Sequence, residues 1–277
     1  MVQIIADSST LYTVDEAQKL GFESVPLCVT IGDMEGRDLQ VDMADFYDRI
    51  KKGQLPMSSQ PPLGDVLDVF EKYKDDEIIN ISMADGLSGT YQTACSAREM
   101  SDYKENITVV NSKTLCGPHR YLVEKAQQMK MDGHSKQEIL DWLEVAIERS
   151  ESFLIPQDFD FLRRGGRLTP VAAAIGSVLK LKPIMTLTED CKRLDKFAIK
   201  RTMKAAVGAV IDHLKTRELD ARHILSVSHA NALDDAQKAA ERLKEAFPEV
   251  EVQIYELSPV FVTQGGPQCV AIQYIER

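Results

Sequence analysis

Short apolar runs alternate with amphipathic stretches along the first half of the chain. The runs have the length of strands, and the stretches between them carry helix start and stop signals. Thr13 and Glu16 fit a capping box at the start of a helix, and Gly21 fits its end. The pattern predicts strands at residues 2–6, 25–31, 78–83 and 107–110, with helices from Thr13 to Gly21 and over 42–52, 61–73, 88–100, 115–131 and 135–149.

The second half spaces its apolar runs differently. Thr169 and Pro170 suit the cap and the first turn of a helix. The stretch over residues 171–181 is apolar on nearly every side, which predicts a buried helix. The other predicted elements are strands at 153–155, 183–188, 193–199, 224–228, 252–257 and 269–275, and helices at 201–215 and 233–247.

These element orders predict an α/β fold with two α/β domains. Parallel strands need crossover helices, and the alternation in the first half supplies them. We therefore expect a mostly parallel sheet with flanking helices in residues 1–150, and a mixed sheet in residues 151–277. Open sheets of the first kind bind ligands at the carboxyl ends of their strands.

Net charge and cysteine content limit the possible partners and the cellular compartment of the protein. The 277 residues carry a net charge of −10, which disfavours nucleic acid and anionic membrane surfaces as partners. We find neither a signal-peptide pattern nor the roughly 18 apolar residues of a membrane span. The five cysteines form no C-x-x-C pair, as is typical of reduced thiols. We expect a cytoplasmic protein without an integral membrane segment.

Three loops rich in hydroxyl groups are candidates for holding an anion: residues 7–10, 57–61 and 85–92. A helix N-terminus offers unpaired N–H groups and a partial positive charge, and Ser or Thr at that point can donate to an anion. The same residues can instead serve only as helix caps. Both interpretations stay open on the residues alone.

Familiar catalytic signatures are missing from the sequence. Neither phosphate-cradling glycine motif occurs, the five histidines show no metal-ligand spacing, and no G-x-S-x-G elbow is present. Cys116 lies near Lys113 and His119, but this spacing matches no cysteine enzyme. The most unusual local feature is Arg163-Arg-Gly-Gly-Arg167, which suits a phosphate or a carboxylate-rich partner, or else a solvated turn.

Six segments, in this order and spacing, resemble the DegV family of bacterial lipid-binding proteins. They are Asp7-Ser-Ser9, Ser58-Ser-Gln-Pro61, Ser88-Gly-Thr-Tyr-Gln92, Phe161-Leu-Arg-Arg-Gly-Gly-Arg167, Leu181-Lys-Pro-Ile184 and Gly266-Pro267. The resemblance covers almost the whole chain. It implies a fatty acid buried between two α/β domains, with its carboxyl group at the second and third hydroxyl loops. The helix over 171–181 would then line the acyl tunnel.

The resemblance also implies a role for the chain. It would be a non-catalytic subunit that presents the carboxyl group of a long-chain fatty acid to an ATP-dependent fatty acid kinase subunit, which forms the acyl-phosphate. The bound fatty acid would be its ligand, with no cofactor and no metal. The implied ligand-binding residues are Ser58, Ser59, Ser88, Gly89, Thr90 and Gln264, and the implied partner-binding residues are Arg163, Arg164, Arg167 and Arg201.

Three positions depart from the family pattern. Ser58 stands where the family commonly has Thr, Gln264 where it usually has His, and Gln268 where it has Gly. Gln can hydrogen-bond to a carboxyl group but does not titrate near neutral pH, so we expect different head-group chemistry. Two other functions stay open, namely a regulatory lipid-binding module and a stand-alone serine hydrolase or transferase that uses Ser88 or Ser228.

Overall fold

The computed structural model describes residues 1–175 and 181–277. Packing divides the chain into two units, Met1–Glu148 and Arg149–Arg277. This division falls close to the predicted boundary after residue 150. The roles expected of the two domains, with head-group loops in the first and a tunnel helix in the second, stay predictions.

The first unit contains the predicted parallel sheet. Strands β2, β1, β6 and β7 lie side by side in that order and run parallel. The strands described in this unit are β1 (Val2–Asp7), β2 (Glu23–Val25), β3 (Cys28–Ile31), β4 (Met34–Arg37), β5 (Met57–Ser59), β6 (Glu77–Ser82) and β7 (Ile107–Asn111). The α-helices are α1 (Val14–Leu20), α2 (Met43–Lys51), α3 (Leu63–Lys72), α4 (Thr90–Met100), α5 (Cys116–Met131) and α6 (Lys136–Ala146).

The strand order places the switch point of this sheet between β1 and β6. From β1 the chain moves outward to β2, and it later returns to β6 on the other side of β1. Ligands of open α/β sheets bind in the crevice where the strand order reverses in this way. The loops that leave β1 and β6 carry the first and third hydroxyl-rich segments.

Helices α3 and α4 cover this sheet through apolar side chains. Val66 and Phe70 lie four residues apart on one face of α3, and both are buried. Burying a side chain of this size stabilises the fold by about 1.5–3 kcal/mol. The buried cluster contains Ile5, Val25, Val66, Phe70, Ile78, Ala97 and Ile107.

The single strand predicted over residues 25–31 is wrong. The chain forms β2 and β3 there, and these belong to different sheets on either side of Pro26. Proline has no N–H to donate, so a sheet ladder cannot run through it as through other residues. β3 pairs antiparallel with β4 on one side and with β5 on the other. The segment predicted as the second hydroxyl-rich loop is therefore partly an edge strand.

The second unit contains the predicted mixed sheet, with the order β10-β9-β8-β13-β11-β12. The pair β11 and β12 is parallel, and the other pairs are antiparallel. The strands are β8 (Ser150–Ile155), β9 (Lys182–Leu187), β10 (Leu194–Lys200), β11 (His223–His229), β12 (Glu251–Glu256) and β13 (Val270–Glu276). The α-helices described are α7 (Phe159–Gly165), α8 (Pro170–Ala173), α9 (Met203–Leu214), α10 (Leu233–Ala246) and α11 (Pro259–Gly265).

The buried helix predicted over 171–181 is wrong in its described part. Thr169 does cap α8, accepting from the backbone N–H of Ala172 at 3.1 Å, with Pro170 at the first position. However, α8 has four residues, and Val171 is 71% exposed. Residues 176–180 of the prediction lie outside the described residues. Apolar composition alone therefore did not establish burial here.

Helices α9 and α10 cover the mixed sheet through apolar side chains. Phe153, Leu225 and Val227 on the sheet pack with Val207 of α9 and Leu243 of α10 in one buried cluster. Across residues 1–175 and 181–277, we find no helix with the length and hydropathy needed to cross a membrane.

Candidate functional site

Asp7 links the two strands that flank the switch point. It is the last residue of β1 and is only 2% exposed. Its Oδ1 accepts from the backbone N–H of Ser9 at 2.9 Å, and its Oδ2 accepts from the backbone N–H of Met83 at 2.9 Å. Met83 follows directly after β6, so the second bond joins the exits of β1 and β6.

Ser8 links the end of β1 to the small antiparallel sheet. Its hydroxyl donates to Asp38 Oδ2 at 2.8 Å and accepts from the backbone N–H of Leu27 at 3.2 Å. Leu27 precedes β3 and Asp38 follows β4, and the two are joined by a backbone hydrogen bond of 2.8 Å. Ser8 therefore anchors both ends of the β3–β4 hairpin.

Ser9 links the same segment to helix α5 through His119. Ser9 Oγ lies 2.6 Å from His119 Nδ1, and His119 Nε2 lies 3.0 Å from the carbonyl oxygen of Ile81. A carbonyl can only accept, so Nε2 carries the proton and Nδ1 accepts from the Ser9 hydroxyl. Burial lowers the pKa of His119, opposed by the charge of Asp7, and so favours the neutral ring.

The Ser9–His119 pair does not have the arrangement of a nucleophile and its base. In serine triads the second ring nitrogen donates to a carboxylate, whereas here it donates to the main chain. Both side chains are also buried, with at most 1% of their surface exposed. The interpretation of the first hydroxyl-rich loop as an anion site is therefore wrong for Ser8 and Ser9, because their hydroxyls hold the fold together.

The third hydroxyl-rich loop presents its hydroxyls at the start of α4. Ser88 Oγ lies 2.8 Å from Thr90 Oγ1 and accepts from the backbone N–H of Thr90 at 3.3 Å. Gly89 occupies the N-cap position and has no side chain to cap the helix. Ser88 is partly exposed and Thr90 is buried. Ser88 therefore combines a capping contact with access to solvent.

The second and third hydroxyl-rich segments meet within the first unit. A Cβ atom added to Gly89 would lie 2.6 Å from Gln60 Oε1, so the Gln60 side chain rests directly on Gly89. Ser58 and Ser59 are consecutive residues of β5, and their side chains point to opposite faces of the small sheet. Only one of these two serines can therefore face a given ligand.

Gln264 lies against the Arg-Gly-Gly-Arg turn in the second unit. A Cβ atom on Gly165 would overlap Gln264 Oε1, so a larger residue at position 165 would displace this glutamine. Gly166 ends α7 with a φ of +73°, a conformation that favours glycine. Gly165 therefore allows the close approach of Gln264, and Gly166 allows the left-handed backbone conformation that ends α7.

Three of the four predicted partner-binding arginines lie on this turn. Arg163 pairs with Asp160 at 2.9 Å, the Arg164 guanidinium lies 4.6 Å from the centre of the Phe161 ring, and Arg167 donates to the carbonyl of Gly165. Arg163 and Arg164 are exposed. Arg201 is exposed on a separate segment between β10 and α9.

Sequence reasoning missed two residues of this arrangement, Gln60 and His119. Gln60 belongs to the segment Ser58-Ser-Gln-Pro61, but its contact with Gly89 depends on tertiary structure. His119 meets a serine 110 positions away, and nothing in the local sequence signals that contact. Ser228, named as one possible nucleophile, is fully buried in β11, which places its hydroxyl out of reach of solvent.

The fold defines a two-domain α/β protein, as the sequence motifs imply. The DegV family model, whose description reads "uncharacterised protein, DegV family", matches residues 1–277. A DegV domain-containing protein of Halalkalibacterium halodurans is 32% identical over 286 residues, which cover 100% of this chain and 99% of that protein. The chain belongs to the DegV family.

Solved structures of DegV family proteins share this fold. The crystal structure of DegV, a fatty acid binding protein from Bacillus subtilis, has a TM-score of 0.86 and 28% identity, covering 100% of this chain and 99% of that one. A fatty-acid-binding DegV family protein from Thermus thermophilus has a TM-score of 0.91 and 23% identity, with the same coverage. The second likeness, at its lower identity, shows the fold alone.

Acid should destabilise the protein through His119. An unfolded histidine titrates near pH 6.5, and burial holds the folded pKa below that value. The unfolded state therefore binds the proton first, and stability falls as pH drops below about 6.5, by up to about 1.4 kcal/mol per pH unit from this group. His229, whose pKa burial also lowers, adds to the trend. Denaturant unfolding at several pH values measures it.

The matched variant is His119→Gln, which keeps an acceptor and a donor but does not titrate. The difference in unfolding free energy between wild type and variant should shrink or reverse in favour of the variant below about pH 6.5. An identical pH dependence in the two proteins would show that His119 is not a buried neutral ring.

Proposed function

We propose that this protein binds a long-chain fatty acid and presents its carboxyl group to an ATP-dependent kinase subunit, without catalysing a reaction alone. The observation that carries this proposal is the partly exposed Ser88 hydroxyl at the start of α4, next to Gly89 and the Gln60 amide. The relative from Bacillus subtilis, at 28% identity, is a fatty acid binding protein, which supports the ligand class.

The geometry around Ser88 suits a carboxylate. Ser88 Oγ already accepts from the Thr90 backbone, and Thr90 Oγ1 can donate to it as well. With Thr90 as the donor, the Ser88 proton is free to point outward. The N-terminus of α4 adds a partial positive charge at the same place. These local donors offset the repulsion that a net charge of −10 exerts on an acid.

The acyl tail of the fatty acid should determine the binding affinity, and the head-group loops should determine the position of its carboxyl group. Each buried methylene contributes about 0.8 kcal/mol, so about fourteen of them contribute on the order of 11 kcal/mol before the cost of association. A hydrogen bond to the charged carboxylate adds only about 1.5–3 kcal/mol net. Ser59 or Ser58, Ser88, Gly89, Thr90 and Gln264 are the proposed head-group residues.

The arginine turn is the proposed contact with the kinase subunit. Guanidinium groups bind carboxylates and phosphates through paired hydrogen bonds, which suits an acidic protein surface or the phosphoryl group being transferred. Arg163 and Arg164 are exposed on this turn. Arg201 is exposed just before the start of α9. We propose a cytoplasmic site of action, since all five cysteines are free thiols.

Replacing Ser88 by alanine should separate holding the ligand from presenting it. Loss of one hydrogen bond to a charged carboxylate should weaken fatty acid binding by about ten- to a hundred-fold, equivalent to about 1.5–3 kcal/mol. Phosphorylation by a bacterial fatty acid kinase subunit with ATP should be abolished, because the carboxyl group is no longer held in place. Ligand titration and acyl-phosphate formation measure the two effects.

Ser96→Ala is the matched control on the same helix. Ser96 is exposed, and its hydroxyl donates to the backbone of Gln92 at 2.9 Å, away from the proposed site. It should leave both measurements unchanged. Wild-type turnover in Ser88→Ala would remove Ser88 from the head-group site.

Arg167→Ala should impair the interaction with the kinase subunit alone. Fatty acid binding should be retained, while the kinase concentration needed for half-maximal turnover should rise several-fold, as is usual when a charged interface contact is lost. Arg222→Ala is the control, because Arg222 is an exposed arginine of the same unit that pairs with Asp220 and Glu276. Loss of fatty acid from Arg167→Ala would place Arg167 in the ligand site or in the fold instead.

A further inference from the structure

We infer that His119 is a positioning residue for the head group, because its ring joins the exits of β1 and β6 and so holds the loop that carries Ser88. This inference rests on the proposed fatty acid binding. It concerns a residue that lies on α5, outside the hydroxyl-rich loops, and that is completely buried.

The imidazole spans the switch point of the parallel sheet. One ring nitrogen contacts Ser9, two residues beyond the end of β1, and the other contacts Ile81, one residue before the end of β6. These two contacts point in opposite directions from one ring. A shift of either strand end would therefore break a buried hydrogen bond, which proteins rarely leave unsatisfied.

Three consecutive backbone N–H groups on the path from Ile81 to Ser88 are held by hydrogen bonds. Asp7 holds the N–H of Met83, the carbonyl of Thr114 accepts from Ala84 at 2.9 Å, and Asn111 Oδ1 accepts from the N–H of Asp85 at 3.1 Å. A β-bridge then pairs Asp85 with Ser88. The position of Ser88 is thus determined by the exit of β6, to which His119 is bonded.

The chemistry at this point requires a ring that accepts on one side and donates on the other. The Ser9 hydroxyl donates to the ring, and the Ile81 carbonyl accepts from it. A neutral imidazole with its proton on Nε2 satisfies both. An apolar side chain would leave both groups buried without that partner, whereas Gln would restore an acceptor and a donor at similar reach.

The test measures palmitate affinity in three full-length variants that are first shown to be folded by circular dichroism. His119→Leu should weaken binding at least about ten-fold, and His119→Gln should restore it to within about three-fold of wild type. His223→Gln is the control, since His223 is a nearly buried histidine of the second unit that contacts Asp220. It should bind as wild type does.

A second readout does not depend on the ligand. Nitrogen chemical shifts of the imidazole in the unliganded protein should show a neutral His119 with its proton on Nε2. A proton on Nδ1, or a folded His119→Leu that binds palmitate as tightly as wild type, would overturn the inference. Should His119→Leu fail to fold, Ser9→Ala removes only one of the two contacts and should still weaken binding, so unchanged affinity in that variant would overturn it too.

The two readouts also separate this inference from the proposed function. A wild-type protein that fails to bind palmitate refutes fatty acid binding, whatever the tautomer is. A wild-type protein that binds palmitate, together with an unaffected His119→Leu, refutes only the positioning role.

Discussion

A buried polar group must find a partner, and this constraint organises the first unit around Asp7, Ser8 and Ser9. Their three side chains reach the exit of β6, the β3–β4 hairpin and helix α5, respectively. In a buried site of low dielectric each of these bonds is strong, and each would be costly to leave unmade. The proposed head-group loop begins where this network ends, so its geometry depends on residues that never touch the ligand.

The larger elements were predictable because their signals are local. The capping box of Thr13 and Glu16 forms as predicted, and the strand–helix alternation gave the parallel sheet. Short elements were missed: β4 and β5 have four and three residues, and α7 and α11 have seven each, too few to show a period. The apolar stretch beginning at Val171 misled for a different reason, because composition does not say which residues a neighbour covers.

The candidate site was predictable in part. The motif containing Ser88, Gly89 and Thr90 does open a helix next to the strand end, as the strand-end rule suggests. Ser8 and Ser9 look equally suitable in the sequence for binding an anion, yet their hydroxyls donate hydrogen bonds to Asp38 and His119. Such pairings join residues tens of positions apart, and a single sequence contains no signal for them.

Native mass spectrometry of the purified protein, followed by solvent extraction and lipid analysis, tests the central claim most directly. Fatty acid binding predicts a co-purifying fatty acid, or uptake of an added one, at close to one molecule per chain. A protein that is empty after purification and also takes up no added fatty acid would contradict the account, and the hydroxyl-rich loop at Ser88 would then have to serve a different acid.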